Sequence, residues 1–253
     1  MRAGATAATT LARLLEGASS AVALTGAGVS VPSGILDFRS PQTGLWANLD
    51  PREVAHIDAF HRDPDTFWAF YGRRFALLHD KQPNAAHLAL AELERRGLLR
   101  GVITQNIDRL HRAAGSERVV EVHGSIEWSV CLRCRAEVGL SRVLELLAEQ
   151  EGAPPCPVCG SPLKPGVVLF GELLPVGAIA EAQRLAAQAD LMLCVGSSLE
   201  VHPAAGLPDL CLRAGGRLAL VTMGETRYDA MAEVRLRGDV ADELEGVMAA
   251  LAA

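Results

Sequence analysis

The chain has 253 residues, 49% of them apolar and 21% charged, an ordinary globular composition that argues against a disordered or fibrous protein. Its length suits one large α/β domain, with or without a small insert. A formal net charge of −6 supplies no basic field to draw it onto nucleic acid or anionic lipid.

Met1–Leu15 has no continuous apolar run of the secretory-signal kind. The longest uncharged stretch, Gly17–Leu36, holds four glycines, five Ser/Thr and a proline, so it does not read as a membrane span. Further along, short aliphatic runs alternate with longer helical patterns. Ala21–Leu24, Gly101–Thr104, Val119–Val122, Val167–Phe170, Leu191–Val195 and Leu218–Val221 read as strands. Asn84–Arg96, Gly177–Ala189 and Pro203–Ala214 read as amphipathic helices, and Asp239–Leu251 as a closing helix capped by Asp239. This alternation predicts a Rossmann-like α/β fold, a largely parallel sheet with helices on both faces.

Two segments interrupt the alternation. Gly34–Lys81 is rich in turn residues and aromatics, and Glu127–Lys164 carries four clustered cysteines. Both read as insertions that build a small second lobe. The expected division is a large lobe of about 1–35, 82–126 and 165–253, and a small lobe of about 36–81 and 127–164.

Cys131-Leu-Arg-Cys134 and Cys156-Pro-Val-Cys159 are two C-x2-C knuckles separated by 21 residues. Each supplies two thiolates at the bite that tetrahedral zinc requires, and four cysteines leave no open position, so the predicted zinc is structural. Disulfides or a redox dithiol are the competing reading. A zinc ribbon can also bind nucleic acid, but Ser125–Pro165 carries four basic residues against five glutamates, so no direct nucleic-acid partner is expected. The metal pattern suits a reducing compartment, and a cytoplasmic location is expected. Cys194 and Cys211 sit in apolar contexts and read as buried small hydrophobes.

Gly26-Ala27-Gly28-Val29-Ser30 follows a short apolar strand, as a phosphate-binding turn does. It departs from the dinucleotide fingerprint, because Val31 holds the third glycine position and no acidic residue follows about 20 positions on. A tight turn without a ligand explains the glycines equally well. Other polar residues also collect at predicted strand ends: Asp37-Phe38-Arg39, Gln105-Asn106-Ile107-Asp108, His123-Gly124 and Gly196-Ser197-Ser198. In a parallel sheet these ends converge on one edge and line a pocket with a carboxylate, amides, a histidine and hydroxyls.

At these motifs the sequence resembles the sirtuin family of NAD-dependent protein deacylases. The matching stretches are GAGVSVPSGILDFR (26–39), TQNIDRLHRAAGS (104–116), VEVHGS (120–125), the cysteine knuckles, KPGVVLFGE (164–172), VGSSLEVHP (195–203) and LVTMGETRYD (220–229). The resemblance implies that NAD lies across Gly26, Ala27, Gly28 and Val31, enclosed by Asp37, Phe38 and Arg39. It puts Asp108 and Ile107 on the carboxamide, with Gln105 and Asn106 ordering the ribose and nearby water. Gly196, Ser197 and Ser198 would face the ribose and phosphates, and Thr222, Asp239 and Val240 the adenosine. An acyl-lysine oxygen then attacks the ribose carbon as nicotinamide leaves. His123 serves as general base on a ribose hydroxyl, and Asn106 assists. The products are nicotinamide, free lysine and an O-acyl-ADP-ribose.

The peptide would be clamped as an added strand between Val168, Leu169, Phe170, Gly171 and Leu199, Glu200, Val201. An ordinary strand and loop is the plainer reading of both segments. Leu36 replaces a proline of the family motif, Val31 stands where relatives often carry a polar residue, and Thr222 replaces an asparagine. Tyr71 and Arg74, three apart on one helical face, resemble the pair that binds the acyl carboxylate in sirtuins that remove succinyl or malonyl groups. The alternative is an arginine on a solvated face and a tyrosine in the core. Competing activities are mono-ADP-ribosyl transfer and a nicotinamide-dependent oxidoreductase, and a non-catalytic zinc-ribbon adaptor is the bland competitor.

Overall fold

A computed structural model describes residues 6–37 and 54–252 of the protein. Phe38 and Arg39 of the predicted NAD enclosure lie outside the described residues. In chain order the elements are α1 (Ala7–Glu16), β1 (Ala21–Thr25), a 3-10 turn (Ala27–Ser33), α2 (Ile57–Arg62), α3 (Pro64–His79) and α4 (Ala85–Arg95). Next come β2 (Val102–Thr104), α5 (Leu110–Ala113), β3 (Val119–Glu121), β4 (Gly124–Cys131), β5 (Glu137–Gly139), α6 (Leu140–Glu149) and β6 (Leu163–Val167). The chain continues with α7 (Val176–Gln188), β7 (Leu191–Val195), α8 (Leu207–Arg213), β8 (Arg217–Val221), β9 (Ala232–Leu236) and α9 (Val240–Ala250).

Six strands form one parallel sheet in the order β3-β2-β1-β7-β8-β9. β1 and β7 are apolar and wholly buried, as strands covered on both faces must be. On one face Leu11 and Leu15 of α1, Leu90 and Leu93 of α4 and Leu244 and Val247 of α9 pack together. On the other face lie Ala182, Leu185 and Ala186 of α7 with Leu207 and Cys211 of α8. The sequence runs outward from β1 to β3 and returns at β7, so the order reverses between β1 and β7. Open α/β sheets bind ligands at the carboxyl ends of the strands at such a reversal.

β4, β5 and β6 make a second, antiparallel sheet in the order β5-β4-β6. Its core is aromatic: Phe60, Phe67, Trp68, Tyr71 and Phe75 pack with Ile126, Val143, Leu163 and Leu169. The Trp68 indole N–H donates to the Leu163 carbonyl at 2.7 Å, tying α3 to β6.

The structure corrects several sequence readings. The predicted strand Val167–Phe170 is not in the parallel sheet; β6 is antiparallel and ends at Val167, and beyond it only an isolated bridge joins Phe170 to His56. Within the run Val167 and Leu169 are buried while Phe170 is exposed, and an apolar run by itself does not separate parallel from antiparallel pairing. Pro203–Ala214 divides into a 3-10 turn, Ala204–Gly206, followed by α8. α1, α6, β4, β5 and the edge strand β9 are additional to the predicted elements. By contrast, Asp239 does cap α9, accepting the Ala241 N–H at 2.8 Å.

Candidate active site

The glycine loop leaves β1 at the point where the sheet order reverses. A Cβ built on Gly28 would lie 2.7 Å from the Gly196 carbonyl oxygen, and one on Gly196, where φ is +59°, 2.2 Å from the Val29 nitrogen. The loops after β1 and β7 therefore touch backbone to backbone, and Gly28 N–H donates to the Gly196 oxygen at 2.8 Å. Gly26 N–H and Val29 N–H are also spent within the protein, on Val195 and Gly26 carbonyls. The glycines are thus required by loop-to-loop contact, whatever a bound anion adds.

The segment after β2 threads under this loop. The buried Asn106 side chain donates to the Gly26 carbonyl and to Ser30 Oγ, both at 3.1 Å. Ser30 Oγ donates to Asp108 Oδ2 at 2.7 Å, and the other Asp108 oxygen accepts the Leu110 N–H at 2.9 Å. Gln105 Nε2 donates to Ser197 Oγ at 3.0 Å, bridging the ends of β2 and β7. Residues 26–30, 105–108 and 196–197, widely separated in sequence, form one network.

His123 occupies the short crossing where the chain leaves the parallel sheet at Glu121 and enters the antiparallel one at Gly124. Gly124 has φ +74°, and a Cβ there would meet the Gly166 oxygen at 2.1 Å, so the crossing is pressed against β6. His123 Nδ1 lies 3.0 Å from the Gln105 carbonyl oxygen. A carbonyl only accepts, so Nδ1 carries the proton and Nε2 is the basic nitrogen. Burial pulls the imidazole pKa below its ordinary value, partly offset by that hydrogen bond, which leaves the ring neutral at pH 7.

Two further histidines, not singled out from the sequence, lie beneath the network. His87 on α4 accepts the Asn84 N–H at Nδ1 and places Nε2 3.4 Å from Ser30 Oγ. His111 on α5 places Nε2 2.9 Å from Thr25 Oγ1, and the two rings meet edge to face at 4.9 Å. Burial pushes their pKa values down to about 4 and about 3. Their signal in the sequence is weak: His87 follows the capping Asn84 by three positions on an apolar helix face, the ordinary place of a core histidine.

The other predicted positions spread around this centre. Thr222 follows β8, and its N–H donates to the Leu236 carbonyl at 3.0 Å. Asp239 and Val240 open α9, which packs on the 3-10 turn, while Val31 and Leu36 are exposed. Ser198 follows Ser197 after β7, and Asp37 closes the first described stretch. Val168 N–H donates to the His123 carbonyl at 2.8 Å, so the predicted peptide edge begins at the histidine itself. Leu199 has φ +55° and a buried side chain, which leaves only its backbone for a peptide; Glu200 and Val201 are more exposed. The Tyr71 ring is buried, stacked on Phe67 at 4.5 Å and edge-on to Phe75, and burial raises its pKa to about 12. Arg74 is half-buried, within electrostatic reach of Tyr71 and Asp108.

Cys131, Cys134, Cys156 and Cys159 bring their sulfur atoms within 4.8 Å of one another. The Cys131–Cys159 and Cys134–Cys156 sulfurs lie 3.4 and 3.5 Å apart, too far for disulfides and near the ~3.8 Å edge of a tetrahedron with Zn–S of about 2.3 Å. The donor set fits one structural zinc. Ser161 hydrogen bonds, the backbone one first, pull the Cys159 thiol down to about 6, favouring the ligating thiolate.

The Sir2 family model matches residues 26–203. An "NAD-dependent protein deacetylase" of Caldivirga maquilingensis is 47% identical over 244 residues, covering 94% of this chain and 93% of that protein. An "NAD-dependent protein deacylase" of Thermococcus sibiricus is 44% identical over 229 residues, 90% and 89% of the two chains. A solved structure described as "Sir2-p53 peptide-NAD+" superposes with a TM-score of 0.87 at 41% identity, covering 95% of this chain and 96% of that one.

Proposed function

The chain belongs to the Sir2 family, and from that premise and the site at the strand ends we infer that it is an NAD-dependent protein-lysine deacylase acting on acyl-lysine peptides. NAD, when bound, supplies an electrophilic ribose carbon and a nicotinamide leaving group, and the acyl group passes to ADP-ribose. His123 holds its proton at Nδ1 against Gln105 and takes one at Nε2 from a ribose hydroxyl. Asn106, fixed by Gly26 and Ser30, keeps its amide oxygen as the acceptor that orders the ribose and water. Asp108 and the Ile107 backbone hold the carboxamide, and Asp108 is oriented by Ser30 and Leu110. Gly26, Ala27, Gly28 and Val31, with Asp37, Phe38 and Arg39, enclose the dinucleotide. Gln105, Gly196, Ser197 and Ser198 take the ribose and phosphates, and Thr222, Asp239 and Val240 the adenosine. Residues 168–171 and 199–201 take the peptide.

The observation that carries this reading is the His123 tautomer, a neutral imidazole with its basic nitrogen left for substrate. The test is release of nicotinamide from NAD with an acetyl-lysine peptide. His123→Ala should lower kcat by about 100-fold or more. Turnover unchanged in that variant overturns the reading. NADH formation would support an oxidoreductase instead, and ADP-ribose remaining on denatured protein a mono-ADP-ribosyltransferase.

The acyl range extends to succinyl and malonyl groups. Support comes from Arg74, half-buried and within electrostatic reach of Tyr71 and Asp108, because its guanidinium is a bidentate donor of the kind an acid-bearing acyl chain requires. Succinyl-lysine kcat/KM should fall about tenfold or more in Tyr71→Phe and Arg74→Met, with acetyl turnover largely kept. Equal succinyl turnover in wild type and variants assigns Tyr71 to the aromatic core alone.

Residues 1–253 act as one catalytic domain, divided into the large and small lobes expected from the sequence. The core that Phe60, Phe67, Trp68 and Phe75 share with Val138, Val143 and Leu163 supports a small lobe, and it also takes in Ile126, Val167 and Leu169 from just beyond the expected bounds. A cytoplasmic location is supported by the free thiols of the cysteine cluster, which suit a reducing compartment. Among the described residues no helix is long and apolar enough to cross a membrane.

A further inference from the structure

Lys164 and Glu172 have no role in the chemistry just described, yet both are built into its edge. Lys164 is one of two lysines in the chain and only 5% exposed. Its ammonium donates to the Pro165 carbonyl at 3.0 Å, the Val167 carbonyl at 2.8 Å and Glu172 Oε2 at 2.9 Å. The same carboxylate oxygen accepts the Leu169 N–H at 2.9 Å. Glu172 N–H in turn donates to the Leu169 carbonyl at 3.1 Å, closing a turn through Gly171 at φ +86°. One ion pair thus holds the backbone before, within and after the Val168–Gly171 segment. That segment is also fixed to its neighbours: Val168 N–H reaches the His123 carbonyl, and Phe170 pairs with Ala55 and Ile57.

We propose that Lys164 and Glu172 are positioning residues that hold the acyl-peptide-binding edge, Val168–Gly171, in register with His123. The proposal rests on the deacylase reading. An ion pair removed from water is no more stabilising than apolar side chains of the same volume. What such side chains do not supply is directed hydrogen bonding to the Pro165, Val167 and Leu169 backbone. An added peptide strand pairs only with backbone groups held at its own spacing, so an edge set loose costs peptide affinity first.

The test uses the full chain with Glu172→Gln, Lys164→Met and the double variant Lys164→Met/Glu172→Leu. Thermal midpoint, kcat, both KM values, and the Kd of a fluorescent acetyl-lysine peptide are measured on each. Lys164→Met leaves the partly buried Glu172 carboxylate without its cation and lowers the midpoint, whereas the double variant regains it. Even so, peptide KM and Kd should stay raised about tenfold in the double variant, equivalent to about 1.4 kcal/mol. NAD KM, and kcat at saturating peptide, should stay near wild type. Glu172→Gln keeps the side-chain shape and an acceptor for Leu169, and it should raise peptide KM by a smaller factor. Wild-type peptide affinity in the double variant and in Glu172→Gln overturns the proposal, as does a matching rise in NAD KM. A wild type that turns over no acyl-lysine peptide overturns the deacylase reading and this proposal with it; altered variants alone cannot.

Discussion

Histidines divide the labour of this site by their surroundings. His123 keeps one nitrogen on a carbonyl and the other available, whereas His87 and His111 are enclosed beneath it with pKa values near 4 and near 3. An unfolded chain protonates all three near the ordinary histidine value, so below about 6.5 the unfolded state binds protons that the folded state refuses. Stability from the buried pair is therefore full above that pH and is lost as pH falls toward 4 and 3. The loss is about 1.4 kcal/mol per unit for each ring while its folded form stays neutral. Urea denaturation at pH 7.5 and pH 5 should show this loss, and His111→Gln should flatten it. An equal loss in that variant would assign the acid sensitivity to other groups. That His123, Asn106 and Asp108 come together was legible because all three follow apolar strands whose ends a parallel sheet gathers on one edge; singly each passes for a turn or core residue, and their roles came from the family resemblance. His87 was not legible, since what distinguishes it is Ser30, 57 positions away in sequence and 3.4 Å away in the fold.

Elements tell a similar story of pattern and exception. β1, β2, β7 and β8 could be read from their apolar runs, α4 from its amphipathic pattern and α9 from its Asp239 cap, because local preference and tertiary burial agree there. β9, with its alternating Glu, Val and Arg at the sheet edge, offered too little apolar signal. The Val167–Phe170 run misled in the opposite way: it is apolar, but only Val167 belongs to a strand and the rest is a tethered segment with Phe170 exposed. The antiparallel sheet that β6 joins carries all four zinc ligands at or near its strand ends. β4 ends at Cys131, Cys134 lies between β4 and β5, and Cys156 and Cys159 precede β6. Chelation should release one zinc per chain, measured with a metallochromic dye, and abolish the near-UV signal of the packed aromatics around Trp68. Peptide turnover should fall with it, since β6 also leads into residues 168–171, the proposed peptide edge. Retained turnover in metal-free protein would mean that the second sheet holds without its ion.

At the level of the whole molecule, the two halves of the parallel sheet are joined where Gly28 meets Gly196. A methyl at position 28 has nowhere to go, because the opposing atom is backbone oxygen at 2.7 Å. Gly28→Ala should cost about 1–3 kcal/mol of stability and raise NAD KM, with zinc content unchanged. A variant with native midpoint and native NAD KM would show that the loops separate freely. The doubly covered sheet was legible as alternating strands and helices, whereas its reversal point was not, because apolar runs do not carry strand order. That the loops support one another was not, because each glycine's partner lies some 170 residues away in the chain.

The same contact ties the loops after β1 and β7 together. Among the described residues, the chain passes from the parallel sheet into the antiparallel one at Glu121–Gly124 and leaves the antiparallel one at Val167–Val168. His123 sits at the first of these crossings, tied to the end of β2 through the Gln105 carbonyl and to the 168–171 segment through the Val168 N–H. On the deacylase reading, a base anchored to both sheets keeps one aim whichever polypeptide lies beside it.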